Sequence, residues 1–193
     1  MKKSDYFKEE IAYLKNNDYK TSLKTLIELL PDYFFEVPAS STLKYHPKYA
    51  NTKHGLVKHT KVGAKIAMVL LDNNTIGSKF SEKEKDIIIM ALVLHDGLKL
   101  GKKKSEFTVP THPLLVSSMI MENAKKLKME IDDIRLLCRS IESHMGEWNK
   151  DYFTKKEILP LPTTEIEKFI HMCDYLSSQK FLNVDFDNIK IEG

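Results

Sequence analysis

Ile87 to Leu94 is an unbroken run of eight apolar residues, and it ends on His95 and Asp96. Such a run has no polar side to turn toward water, so it belongs to a helix buried in a core. Upstream, Ser81-Glu82-Lys83-Glu84 has the form of a capping box, with Ser81 as N-cap and Glu84 reaching back, and this sets where that helix starts. Its end constrains everything else. An imidazole and a carboxylate stand side by side where the apolar run stops, followed by Gly97, Leu98 and Lys99. The reading is that His95 and Asp96 anchor a metal cluster whose other ligands come from helices before and after.

The rest of the chain is helical in pattern. Phe7, Ile11, Leu14, Leu23, Leu26, Ile27 and Leu30 suggest two short helices broken by an Asn16-Asn17-Asp18 turn. Residues 31–47 mix aromatics, serines and prolines and read as a connecting segment that covers one side of the core and approaches the site. A third helix is expected from His54-Gly55 to about Leu71, with Leu56, Val62, Ile66, Val69 and Leu70 on its inward face, and His59 falls on that face. Asp72 to Phe80 and Gly97 to Pro110 read as loops. His112-Pro113 opens a helix with Leu115, Met119, Ala124 and Leu127 among its buried candidates. Ile131, Ile134, Leu137, Cys138 and Ile141 mark another, which delivers His144 at its end. After an irregular stretch to Pro162, Thr163 or Thr164 caps a last helix with Ile166, Phe169, Ile170, Cys173 and Leu176 as its stripe, and His171 and Asp174 beside it.

With 193 residues, one domain is expected, with a core that needs no disulfide. Cys138 and Cys173 sit at helical spacing among apolar residues and read as reduced core thiols. No stretch approaches the roughly 20 apolar residues of a membrane span, and Met1 to Asp5 is not followed by a signal-peptide core. A cytoplasmic location without a membrane partner is therefore expected. A net charge of +3, dispersed lysines and only Arg135 and Arg139 allow an anionic substrate without implying a groove for long nucleic acid.

His59, His95, Asp96, His112, His144 and Asp174 each sit on or beside an inward face or at the end of a core helix. A single inward histidine is more often a hydrogen-bonded core residue than a ligand. Burying this many ionisable groups would cost several kcal/mol apiece unless they were paired or bound to metal. Imidazole nitrogens with carboxylate oxygens suit Mn, Fe, Co, Ni or Mg, and the lack of thiolates argues against structural zinc. Asp96 is placed to bridge two ions.

The order His59, His95-Asp96, His112, His144, Asp174 resembles the HD superfamily of metal-dependent phosphohydrolases. Within it, three stretches are similar to the HD domain of YhaM-type 3'-to-5' exoribonucleases: His54-Gly55-Leu56-Val57-Lys58-His59-Thr60, Ser143-His144-Met145-Gly146-Glu147-Trp148, and His171-Met172-Cys173-Asp174-Tyr175-Leu176. The chain departs from the pattern in carrying Gly97-Leu98 where Leu-Gly is usual, Met145 where a second histidine often stands, and a helical N-terminus where the exoribonucleases have a nucleic-acid-binding barrel.

The resemblance implies an all-α fold: a single-domain HD-type helical bundle with a metal site in its core. Residues 51–180 would be the HD domain, 1–50 an N-terminal helical extension packed on it, and 181–193 a C-terminal tail. It further implies that His59, His95, Asp96 and Asp174 bind one divalent ion, and that Asp96 bridges to a second held by His112 and His144. A metal-activated water would then hydrolyse nucleotides or short oligonucleotides, as monoesters or diesters. Asp96 and Lys99 are the catalytic candidates, Lys99 as a phosphate contact. His54, Trp148 and His171 are candidates for substrate binding: His54 lining the pocket or capping its helix, Trp148 stacking on a base or packing a loop, His171 as a substrate group or a core histidine. Lys102, Lys103 and Lys104 read as solvated, with a phosphate-facing role for one of them as the alternative. The expected partner is a phosphorylated small molecule or short oligonucleotide, and a homo-oligomer is compatible. Two other readings share the ligand order: a non-catalytic HD module that binds a nucleotide or protein partner, and a di-iron HD oxygenase.

Overall fold

The computed structural model describes residues 2–182, and in it every side chain from Ile87 to Leu94 is fully shielded from solvent. These residues form most of α5 (Glu82–Leu94), which starts where the sequence places it. Ser81 Oγ accepts from Glu84 N at 3.3 Å and the Glu84 carboxylate accepts from Ser81 N at 2.7 Å. Each fully buried aliphatic side chain in the run contributes about 1.5–3 kcal/mol of transfer free energy. The whole run can be buried because α5 is surrounded.

Around it lie α1 (Lys8–Tyr13), α2 (Asn17–Leu29), α3 (Gly55–Asp72), α6 (His112–Glu122), α7 (Ile131–Glu142) and α8 (Glu165–Ser177). Helix α3 packs on α5 and α8, α7 on α5, α8 and α6, and α2 on α5. The described residues are all-helical apart from an isolated bridge between Lys150 and Glu157. Phe7, Leu14, Leu23, Leu26, Ile27 and Leu30 belong to the same buried cluster as α5, so the N-terminal helices share its core. The turn between α1 and α2 is fixed from α5: Asp86 accepts from Lys15 N and Asn16 N, both at 2.8 Å, while Asn16 caps α2 through its own side chain.

A polar pair inside this core was not foreseen. Lys61 projects from α3 into the interior and reaches Glu10 of α1, with Nζ 2.9 Å from Oε1 and 3.0 Å from Oε2. Both side chains are almost wholly shielded. A buried lysine is sustained by a carboxylate partner, and this one ties the N-terminal helix to the helix that carries His59.

Several boundaries differ from the sequence reading. The stretch read as a loop after α3 contains a one-turn helix, α4 (Asn74–Gly77), because the Asn73 side chain accepts from Thr75 N and nucleates it. Val69 is exposed, since it stands two residues, roughly 200°, from Leu71, which takes the inward position. Ile131 opens α7 half-exposed. Helix α6 stops at Glu122, where Asn123 turns its side-chain amide back onto the Met119 carbonyl at 2.9 Å. Ala124–Lys126 then tightens to a 3-10 turn, and Leu127 is buried beyond it. Of the expected tail, residues 183–193 lie outside the described residues. Among the described residues no helix is long and apolar enough to cross a membrane.

The Gly97-Leu98 order has a packing cause. A Cβ on Gly97 would come within 2.6 Å of Leu30 Cδ2 and 2.9 Å of the Leu94 carbonyl, so only glycine lets the chain leave α5 beneath α2. Leu98 then fills a core position.

Candidate metal centre

Five helices, or the residues just beyond their ends, deliver the six candidate ligands. His59 comes from the middle of α3, His95 and Asp96 from the end of α5, His112 from the first turn of α6, His144 from just past α7, and Asp174 from α8. The four histidines and Asp96 are buried, and Asp174 is partly open. All six converge. His59 Nε2 lies 2.9 Å from Asp174 Oδ1, and His95 Nε2 lies 3.2 Å from the same oxygen. Asp96 sits between two pairs: its Oδ2 is 3.6 Å from both His59 Nε2 and His95 Nε2, and its Oδ1 is 2.9 Å from His112 Nε2 and 4.0 Å from His144 Nε2. Among the described residues two ligand groups are tight enough to hold an ion, His59 with His95 and Asp174, and His95 with Asp96 and His144. His95 is common to both.

The other ring nitrogens explain the orientation. His95, His112 and His144 each donate Nδ1–H to the carbonyl three residues earlier, Leu92, Val109 and Ile141, at 2.7, 2.8 and 2.7 Å. The Leu92 and Ile141 carbonyls lie in the last turns of α5 and α7, where acceptors lack intrahelical partners, and the Val109 carbonyl lies in the turn before α6. His59 Nδ1 is 2.9 Å from Ser177 Oγ, whose own proton goes to the Asp174 carbonyl at 2.7 Å, so His59 donates there too. With Nδ1 protonated in each neutral ring, every Nε2 presents a lone pair inward. His95 Nε2 and His112 Nε2 are buried without a hydrogen-bond partner, although carboxylate oxygens stand close by out of alignment. Lone pairs and carboxylates gathered this closely call for a cation between them. The donor set is the neutral-imidazole and carboxylate kind that divalent ions take, each imidazole fixed through its second nitrogen, and it fits such an ion.

The charge states of Asp96, Asp174 and His144 agree with this, while the two carboxylates favour the protonated form of His95 as long as no cation takes its place. Burial alone would raise Asp96, yet Lys99, His95 and His112 hold it well below the usual carboxylate range. Asp174 is likewise held low against burial, by His95 and His59. Burial, with His95 adding to it, pushes His144 down to about 3, whereas Asp174 and Asp96 overcome burial to raise His95.

Lys99 reaches the cluster, its Nζ donating to Asp96 Oδ2 at 2.6 Å. On its other side Lys99 lines a cleft of about 180 Å³ with Val37, Pro38, Leu56, Leu100 and Lys104. His54 is not among the residues lining it. It occupies the left-handed N-cap position of α3 at φ 61° without a side-chain cap; its Nδ1 bonds to the Phe35 carbonyl and its ring faces Tyr6. His171 Nδ1 donates to the His144 carbonyl at 2.7 Å, so it braces the segment that carries a cluster histidine. The ring sits over Gly146, at φ 57°, where a Cβ would fall 2.2 Å from it. Trp148 is half-exposed and stacks on Tyr175 at 5.7 Å, one face packed on α8. Lys102 pairs with Glu122 at the surface.

His46 and Ser177 joined the cluster without notice from the sequence. Ser177 stands three residues after Asp174, one helical turn on, and that spacing was the available signal. His46 lies in the irregular segment before α3, where no periodicity marks an inward face. Its ring meets His59 edge-on at 4.7 Å. Burial, then His59 and Lys99, push it down to about 3 against the pull of Asp96 and Asp174.

Comparison with family models, with curated proteins and with solved structures finds no match.

Proposed function

We propose that the chain is an HD-type, metal-dependent phosphohydrolase acting on nucleotides or short oligonucleotides. The observation that carries this reading is the convergence of four Nε2 atoms on Asp96 and Asp174, in the chain order His, His-Asp, His, His, Asp. The two oxygens of Asp96 face different histidine pairs, which supports a bridging role. The tight groups support His59, His95 and Asp174 for one ion and Asp96 with His144 for a second, and the chain order adds Asp96 to the first and His112, 2.9 Å from Asp96 Oδ1, to the second. Divalent ions there supply Lewis-acid charge to phosphoryl oxygens and an acidified attacking water.

The chain's own groups do the remaining work. Lys99 stands beside Asp96 and lines the cleft, so its ammonium can leave the carboxylate and bind a phosphoryl oxygen. The apolar walls of the cleft, Val37, Pro38 and Leu56, receive an apolar part of the substrate beside the phosphoryl group. The paired acceptors around Nδ1 keep each ring in one tautomer. The buried, unpaired thiols Cys138 and Cys173 suit a reducing cytoplasm.

The test is hydrolysis by protein whose metal content has been measured, against mononucleotides, cyclic dinucleotides and short RNAs with Mn, Fe, Co, Ni and Mg. Multiple turnover that disappears in Asp96→Ala is expected. Full hydrolysis by pure Asp96→Ala overturns the reading. Nucleotide binding without turnover under any metal would make the chain a binding module, and iron-dependent oxygen consumption would make it an oxygenase.

A further inference from the structure

His46 reaches the cluster from the segment between Pro38 and Pro47, and the functional reading above gives it no part. Its backbone is held in place: Asn51 Nδ2 donates to the His46 carbonyl at 2.9 Å and to the Leu43 carbonyl at 3.1 Å, and Pro47 restricts the chain behind it. The ring is thereby set edge-on to His59, with centroids 4.7 Å apart and planes at 88°. His46 Nδ1 is shielded from solvent and has no hydrogen-bond partner.

Packing against His59 does not need an imidazole, since an apolar ring would fill the same space without burying an unpaired nitrogen. The lone nitrogen calls for a ligand that supplies its partner. The neighbourhood limits what that ligand is. Lys99, Asp96 and Asp174 all lie near enough to act on the His46 ring. With Asp96 and Asp174 engaged by the ions of the reading above, Lys99 is the charge left to meet a ligand at His46, and an oxyanion accepts from Lys99 and His46 together. Lys99 itself lines the cleft; His46 stands behind it, against His59.

We propose that His46 is a substrate-contacting residue that, with Lys99, holds the phosphoryl group over the cluster, donating from Nδ1 to a phosphoryl oxygen. The proposal rests on the phosphohydrolase reading of this site, and it places one donor on each side of the phosphoryl group. Asparagine can present a side-chain N–H near the position of imidazole Nδ1, and alanine cannot.

Wild type, His46→Ala and His46→Asn are loaded with Mn, their metal content is measured, and each is titrated with inorganic phosphate by calorimetry. Equal metal content, phosphate binding at least tenfold weaker in His46→Ala, and partial recovery in His46→Asn are expected. Where a phosphate ester is turned over, KM rises by a similar factor in His46→Ala and kcat changes less. Wild-type phosphate affinity in metal-loaded His46→Ala overturns the proposal and leaves the hydrolase reading standing. Loss of metal in His46→Ala overturns it by making His46 a ligand. Metal-loaded wild type that binds no phosphate overturns it as well. Wild type that binds phosphate but hydrolyses no ester removes the hydrolase reading, and the affinity difference still decides the His46 contact.

Discussion

Lys99 Nζ donates to Asp96 Oδ2 at 2.6 Å, so the carboxylate that faces both histidine pairs already carries a cation from its own loop. A divalent ion approaching Oδ2 meets that ammonium, and the two compete for one oxygen. Lys99→Met removes the competitor and keeps much of the stem. Metal titration should then show tighter binding, while hydrolysis falls on the order of 10²-fold, as when one preorganised donor is lost. Unchanged hydrolysis would remove Lys99 from the phosphate site.

The hydroxyl of Ser177 is the acceptor that keeps His59 Nδ1 protonated and Nε2 free. Without it the ring can turn or change tautomer. Ser177→Ala should weaken metal binding about 10–100-fold, in line with loss of an outer hydrogen bond to a ligating histidine. Titration with Co and its visible absorption would measure this. The thermal unfolding of the metal-free protein should move little by comparison.

Asp133 links three helices: from α7 it accepts from the Tyr19 hydroxyl of α2 at 2.6 Å and pairs with Lys83 of α5 at 2.8 Å. Burial would raise its pKa, but Lys83 and Tyr19 bring it below the ordinary value. A carboxyl with a lowered folded-state pKa adds stability above its unfolded value, roughly 3.9, and that stability is lost as pH falls through the folded-state value. Asp133→Asn should therefore be less stable than wild type at pH 7. The gap should close below about pH 4, as read by urea unfolding across pH. A gap independent of pH would show that the carboxylate charge contributes nothing.

Much of the fold was legible because it is written locally. Ser81 and Glu84 close their box as read, Thr164 and Glu167 close another, and the apolar run of α5 is buried along its length. Periodicity also put His59 on the inward face of α3 and His144 at the end of α7. Errors fell where a single side chain settled the outcome, as at Asn73 and Asn123, whose amides start or stop a turn without altering any periodic pattern.

The sequence by itself determined the helices, their caps and which ionisable residues face inward, because each depends on spacing within one or two turns. Tertiary structure decided what those residues do together. It set one oxygen of Asp96 toward His59 and His95 and the other toward His112 and His144, brought Lys99 within reach despite the Gly97-Leu98 order, and laid His46 against His59. It also matched Lys61 with Glu10 across 51 residues of chain. Contacts of that range leave no periodic trace, since they arise from how whole helices pack, and the position of a charge in a core is fixed only when its partner arrives.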